Sequence, residues 1–388
     1  MDEGMRIVAD ALAARMEDTG RLTFAEFMQT ALYHPDAGYY NRPTMTIGDG
    51  GDFFTSPMVH PIFGACVARQ IHQFWRLLGS PEPFTVLEMG AGVGTLAADL
   101  LKTSQQDPQY YEALRYVIVE QGPRLRKKQF AHAREQGVDQ KIGWVDSLEE
   151  VQAHPKLGSF VGVIVTNELF DALPVHRLQR TEDGYGEFYI EEDGEGGYRE
   201  VLGELSDPAL LDLLDEETKG HLDPGDRFEV CPAAGEVIES MGRLLERGFV
   251  LTVDYGDTAP DMHLRHVRGD GVRAFYRQAP AAVLEQVGAQ DLTADVDFSL
   301  LMRRGEQAGL ATVGYTTQMH LLGGNGLLHK VQELQQRWFD LNADAQMQKM
   351  LGLFLPHGLG DLFKVLIQGK GIDPEAVRGR ISTLTFEP

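Results

Sequence analysis

The sequence predicts an α/β fold, a doubly wound sheet of mostly parallel strands with helices on both faces. Three observations carry that prediction. Five short runs, 84-FTVLEM-89, 115-RYVIVE-120, 142-IGWVD-146, 161-VGVIVTN-167 and 248-GFVLTVDY-255, are rich in Val and Ile and end in polar breaks. Their residues are apolar on both faces, as strands covered by helices on both sides require. Helical segments separate them, so strands and helices alternate along the chain.

Residues 1–35 read as helical, because Ile7, Leu12 and Met16, then Leu22, Phe24, Phe27 and Leu32 recur at helix-like spacing. Phe24, Phe27 and Leu32 are expected to pack in a core. Residues 36–58 hold several glycines and prolines and read as a loop, in which Tyr39 and Tyr40 either stack on an adenine or pack. Apolar periodicity returns as a helix over 62–78, with Trp75 and, further on, Met89 in the core. Two stretches break the later rhythm. In 181-TEDGYGEFYIEEDGEGGYREV-201, Tyr, Phe and Ile alternate around Asp-Gly and Gly-Gly turns, an acidic hairpin pattern. It reads as an insertion over the end of the sheet where ligands bind in open α/β folds. Residues 257–280 read as a polar loop. A helix near 297–308, a strand over 311–319, a helical region and a last strand over 362–368 follow. The expected division is an N-terminal helical region 1–60, a core in two parts (61–178 and 246–388), and an acidic insertion 179–245.

The chain has 388 residues, with 35 Lys and Arg against 58 Asp and Glu, a net charge of −23. Such a surface repels nucleic acid and anionic membranes and attracts a cationic substrate or a basic segment of a partner protein. The same charge also serves solubility alone. Two cysteines, Cys66 and Cys231, form neither a disulfide framework nor a zinc ligand set, so no metal is expected. No run is long and apolar enough for a membrane span, and the N-terminus lacks the basic residues of a signal peptide, so the expectation is a cytoplasmic protein. The sequence leaves monomer and homodimer open.

The stretch 86-VLEMGAGVGTL-96 joins a strand to a helix through glycines at alternate positions. A dinucleotide fingerprint would need glycine at its sixth position, where Thr95 stands. The pattern is Glu88-x-Gly90-x-Gly92-x-Gly94. A carboxylate at Glu88 repels a diphosphate but suits a cation, which favours S-adenosylmethionine, a ligand with a sulfonium, an ammonium and no phosphate. Glu120 ends the next strand, where an acid bonds the ribose hydroxyls of an adenosine. After the third strand, Asp146 and Ser147 are candidates to bond the adenine edge; the alternative for Asp146 is to cap the helix that begins there.

These residues resemble the MidA-like family of S-adenosylmethionine-dependent methyltransferases, whose mitochondrial members assist assembly of respiratory complex I by methylating an arginine. The matching stretches are 51-GDFFTSP-57, 87-LEMGAGVGTL-96, 166-TNELFDALPVH-176, 252-TVDYG-256, 271-GVRAFYR-277 and 291-DLTADVDF-298. NELFDALP and DLTADVDF are the specific ones. The resemblance implies a class I, seven-stranded Rossmann-like core with added helices and hairpin around the substrate cleft. It implies that Glu88, Gly90, Gly92, Gly94 and Glu120 hold the cofactor, whose product is S-adenosylhomocysteine. It also implies that 51-GDFFTSP-57, with Asp52, Thr55 and Ser56, folds over it. The family continues SP with Glu-Ile; here Pro57 is followed by Met58-Val59-His60.

The resemblance further implies an arginine acceptor, on a basic segment of a partner protein such as a complex I subunit. A guanidinium is always protonated and has five donors, so two carboxylates suit it. Glu168 and Asp171 are the candidates for that grip, with Asn167 positioning. The alternative is that Asp171 caps a helix and Glu168 supports the cofactor. Asp254 and Tyr255 end the fifth strand, where an acid either pairs with a basic substrate or bonds a neighbouring loop. His176 is expected to point out of a short strand, and Arg273 to be an ion-pair partner in a loop that also carries Tyr276. A small-molecule methyltransferase, a nicotinamide-dependent oxidoreductase and a non-catalytic assembly factor are the competing readings. The missing sixth-position glycine argues against the oxidoreductase.

Overall fold

The computed structural model describes residues 2–42, 55–155, 157–259, 261–262, 271–277, 279–336 and 340–387. Its strands in chain order are β1 (Leu22–Thr23), β2 (Phe84–Met89), β3 (Leu114–Val119), β4 (Ile142–Val145), β5 (Phe160–Asn167), β6 (His176–Arg180), β7 (Tyr185–Glu192), β8 (Tyr198–Gly203), β9 (Arg227–Val230), β10 (Leu245–Asp257), β11 (Val272–Tyr276), β12 (Ala279–Ala281), β13 (Asp291–Ala294), β14 (Val296–Asp297), β15 (Ala311–Thr317) and β16 (Phe363–Lys370). The chain divides into two units. The smaller holds Met1–Phe53, Phe170–Glu236 and Gly256–Leu301; the larger holds Phe54–Leu169, Val237–Tyr255 and Met302–Pro388.

The larger unit is built on a sheet of order β15-β16-β10-β5-β2-β3-β4. The pairs β10/β5, β5/β2, β2/β3 and β3/β4 are parallel, and β16 runs antiparallel to both its neighbours. This is the predicted doubly wound α/β fold, in the seven-stranded form of the methyltransferase core. The chain starts in the middle at β2, winds outward through β3 and β4, then returns to β5. The strand order reverses between β2 and β5, the place where open α/β sheets bind ligands. Val86, Tyr116, Ile118, Val163, Val165 and Phe249 form the buried face under the helices Ile62–Leu77 and Thr95–Ser104. Phe74 stacks on Phe249 with ring centroids 4.1 Å apart, and Trp75 is buried in the same cluster, as expected.

The smaller unit contains the sheet β1-β7-β6-β9, with β8 also on β7, and the three-stranded sheet β12-β11-β13. Leu178, Leu210, Leu213, Leu222 and Phe228 form a core on one side of the larger of these sheets. The acidic hairpin is present as β7 and β8, paired from Glu187↔Gly203 to Glu192↔Tyr198. These units are divided differently from the sequence expectation: Leu22 and Thr23 pair with Ile190 and Tyr189 within the smaller unit, and that unit also takes in Gly256–Leu301.

Other differences are local. The helical stretch over 1–35 is two helices, Glu3–Met16 and Phe24–Tyr33, separated at Gly20, whose φ of +72° a helix cannot hold. A capping box starts the second: Thr23 Oγ1 accepts from Glu26 N at 3.2 Å, and Glu26 Oε2 accepts from Thr23 N at 3.0 Å. The loop expected over 257–280 contains β11 and β12, paired through Ala274↔Ala281, Phe275↔Pro280 and Tyr276↔Ala279. Among the described residues no helix is long and apolar enough to cross a membrane.

Candidate cofactor site

The glycine loop leaves β2 with Gly90, Gly92 and Gly94 all at positive φ. Gly94 is required twice over: its φ is +86°, and a Cβ would lie 3.3 Å from Gln129 Cα. The helix Thr95–Ser104 starts directly behind it. Glu88, on β2, is 2% exposed and accepts a 2.8 Å hydrogen bond from Tyr116 OH on the neighbouring strand. Burial pushes its carboxyl up to about 7, against the opposing effect of the tyrosine bond.

Glu120 follows β3. Its Oε1 accepts from Gly122 N at 2.7 Å and its Oε2 from Gln129 Nε2 at 2.8 Å. Burial raises its pKa, and these two bonds oppose the rise. The Arg126 guanidinium donates to Glu120 O at 2.9 Å and to Asp146 Oδ1, and so ties the ends of β3 and β4 together. Ser147, not Asp146, caps the helix Leu148–Ala153, with its Oγ accepting from Glu150 N at 3.2 Å.

The end of β5 turns sharply at Glu168, a non-glycine residue with φ +52°. Strain of this kind costs on the order of 1–3 kcal/mol and persists only where surrounding bonds enforce it. Here they do. Glu168 Oε1 accepts from Ser56 N at 3.0 Å and from Asn167 Nδ2 at 2.9 Å, and Glu168 N donates to Val253 O. Ser56 is buried, and its Oγ donates to Gln318 Oε1 at 3.1 Å. Asp254 is fully buried and accepts from Leu169 N at 3.1 Å, the strand-end bond to a neighbouring loop. Asn167 Oδ1 is buried with no hydrogen-bond partner among the described residues. Its amide orientation is fixed by the bond to Glu168, so an acceptor is left without a donor.

Thr55 precedes the short helix Ser56–Val59 without a side-chain capping bond, and Asp52 lies outside the described residues. Asp171 belongs to the smaller unit, where it is buried and its carbonyl accepts from Ala294 N at 2.8 Å. It caps no helix: the chain passes through turns to Pro174 and then β6. Tyr40 donates to Asp291 Oδ1 at 2.8 Å and packs edge-on against Tyr39, which is fully buried. Burial, with Asp291 the leading charge beside it, holds the Tyr40 phenol protonated. Both tyrosines therefore pack. His176 Nδ1 bonds the buried carboxylate of Glu187 at 2.7 Å, and Arg273 pairs with Asp295 at 2.6 Å. Sequence reasoning missed Tyr116, Arg126, Gln129, Trp144 and Gln318. For Gln129 a signal existed: Leu125, Gln129 and Ala133 form an i, i+4, i+8 row, and all three are buried.

The polar groups of the larger unit at these strand ends are mainly acceptors: Glu88, Glu120, Asp146 and Asn167 Oδ1. That set fits a ligand that offers hydroxyl and ammonium donors and a positive sulfur, and fits a diphosphate poorly.

Comparison with known proteins agrees. The sequence profile of a family of S-adenosyl-L-methionine-dependent methyltransferases matches residues 66–316. The mouse protein arginine methyltransferase NDUFAF7, mitochondrial, is 30% identical over 91% of this chain and 82% of its own length. The Drosophila melanogaster homolog is 33% identical over 79% of this chain and 72% of its own. A Burkholderia thailandensis COG1565 superfamily member, in a crystal structure with S-adenosyl-homocysteine bound, superposes with a TM-score of 0.85 at 28% identity, covering 98% of this chain and 95% of that one. The expectation of a cytoplasmic protein is corrected by the mouse and Drosophila relatives, which are named as mitochondrial proteins.

Proposed function

The chain belongs to the family of S-adenosyl-L-methionine-dependent methyltransferases, and on that premise we propose that its methyl acceptor is an arginine in a basic segment of a partner protein, such as a respiratory complex I subunit. The names of the curated relatives support the arginine, and the resemblance to the MidA-like family supports the partner. The observation in this chain that carries the reading is Asn167 Oδ1, a buried acceptor awaiting an N–H donor beside a carboxylate held in place.

The cofactor, when bound, supplies an electrophilic methyl group on a sulfonium. Glu120 would hold its ribose hydroxyls, and Glu88, whose carboxyl burial raises to about 7, would gain its negative charge as a cation binds near the glycine loop. Asn167 would accept one guanidinium N–H, and Glu168, kept in one orientation by Ser56 and Asn167, would turn the reacting nitrogen and take its proton as the C–N bond forms and the methyl–sulfur bond breaks, leaving S-adenosylhomocysteine. Asp254 positions this turn through Leu169 N rather than touching substrate.

The test is transfer of labelled methyl groups from S-adenosylmethionine to basic peptides that contain arginine, or lysine in its place. Label in the arginine peptides alone is the expected result; label in neither set, with S-adenosylhomocysteine still bound, moves the reading to a non-catalytic assembly factor. Glu168→Gln is expected to lower kcat by about 100-fold or more, the usual scale for loss of an acid–base group, with S-adenosylhomocysteine affinity retained. Unchanged turnover in that variant removes Glu168 from the chemistry.

A further inference from the structure

Gln129 is 1% exposed on the helix Pro123–Glu135, in the row that faces the core. A primary amide in such a place is destabilising unless its polar atoms are bonded. Its bonds run to three different elements. Nε2 donates to Gly92 O at 2.9 Å in the glycine loop and to Glu120 Oε2 at 2.8 Å after β3. Oε1 accepts from Trp144 Nε1 at 3.1 Å on β4. An indole N–H only donates and a carbonyl oxygen only accepts, so the amide has a single workable orientation. Gly94 allows the approach, since a side chain there would press on Gln129 Cα, Cβ and Cγ.

The effect falls on Glu120. Gly122 N holds one carboxylate oxygen and Gln129 the other, so the carboxylate plane is fixed before any ligand arrives. A carboxylate accepts roughly four hydrogen bonds, which leaves room for two more donors in that plane. A vicinal diol supplies two. We propose that Gln129 is a positioning residue for ribose recognition: it locks the Glu120 carboxylate to the glycine loop so that the acid meets the 2′- and 3′-hydroxyls without reorganising. The proposal rests on the reading of Glu120 as the ribose acid.

The experiment is calorimetric binding of S-adenosylhomocysteine and its 2′-deoxy analogue to the wild type, Glu120→Gln, Gln129→Met and Trp144→Phe. The quantity read is the ratio of the two affinities, which a general loss of stability does not move. A hydrogen bond to a charged group corresponds to roughly 10- to 100-fold, so the wild type is expected to prefer the ribose form by that factor. Gln129→Met keeps the length and loses the amide. It is expected to bind S-adenosylhomocysteine about tenfold more weakly while the deoxy analogue changes little, so the ratio collapses towards that of Glu120→Gln. Trp144→Phe frees one side of the amide and is expected to lower the ratio partway; it carries the same readout if Gln129→Met does not fold. If Gln129→Met weakens both ligands equally, or neither, the positioning role is overturned while Glu120 stands. If Glu120→Gln itself keeps the wild-type ratio, Glu120 is not the ribose acid, and both readings fall together.

Discussion

Glu88 shows how a single strand residue ties stability to the cofactor site. Its carboxyl, raised by burial to about 7, stays protonated in the ligand-free fold well above the range of an ordinary glutamate. The folded state binds the proton more tightly than the unfolded chain does. The stability this provides is therefore fully present at acid pH, below the ordinary range, and is lost as pH rises towards and through about 7. A shift of this size corresponds to roughly 3 kcal/mol across that window. Glu88→Gln is expected to remove this slope, so that the variant gains on the wild type between pH 5 and pH 8 in denaturant melts of ligand-free protein. Asp99, also raised to about 7 by burial, adds a slope of the same sign to both proteins and cancels in the difference. An equal pH dependence in the two proteins would sink the assignment. The acids at strand ends were legible in the sequence, because a carboxylate after an apolar run has few bland explanations. Gln129 left only the trace of its i, i+4, i+8 row, because its importance lies in Gly92 O and Trp144 Nε1, which only the tertiary fold brings to it.

Among elements, those with a strong internal pattern were the readable ones. β2, β3, β5 and β10 are apolar on both faces over six residues or more, and the sequence placed each within about three residues at either end. β11 and β12 were read as loop because they span five and three residues and contain Arg273 and Pro280, too little length for a period to declare itself. The helix Phe24–Tyr33 is set by a local signal instead, the Thr23–Glu26 capping box. Thr23→Ala is expected to destabilise the protein by about 1 kcal/mol, measured by chemical denaturation, while Thr23→Ser costs a few tenths. Equal losses in both variants would mean the methyl group, not the hydroxyl, is what matters at that position.

At the scale of the whole molecule, the net charge of −23 is the property most directly tied to the proposed basic acceptor. Screening acts on encounter more than on chemistry. Raising salt from 50 to 500 mM is expected to raise KM for a basic peptide several-fold and leave kcat within about twofold. A salt effect on kcat alone would point away from a charge-steered acceptor.

The place of β16 has a consequence for how the chain is made. The strand lies between β10 and β15 in the sheet, yet it occupies 363–370, after every other strand has been synthesised. Until it arrives, β10 presents an open backbone edge, and β15 has no neighbour in the sheet. The parallel strands β2, β3, β4 and β5 can assemble as they emerge, but closure of the sheet is deferred to one late, long-range insertion. Contacts that span so much sequence form slowly. The nascent chain therefore carries an unpaired, apolar strand edge for the time it takes to synthesise more than a hundred residues, the interval in which a chaperone has most to do.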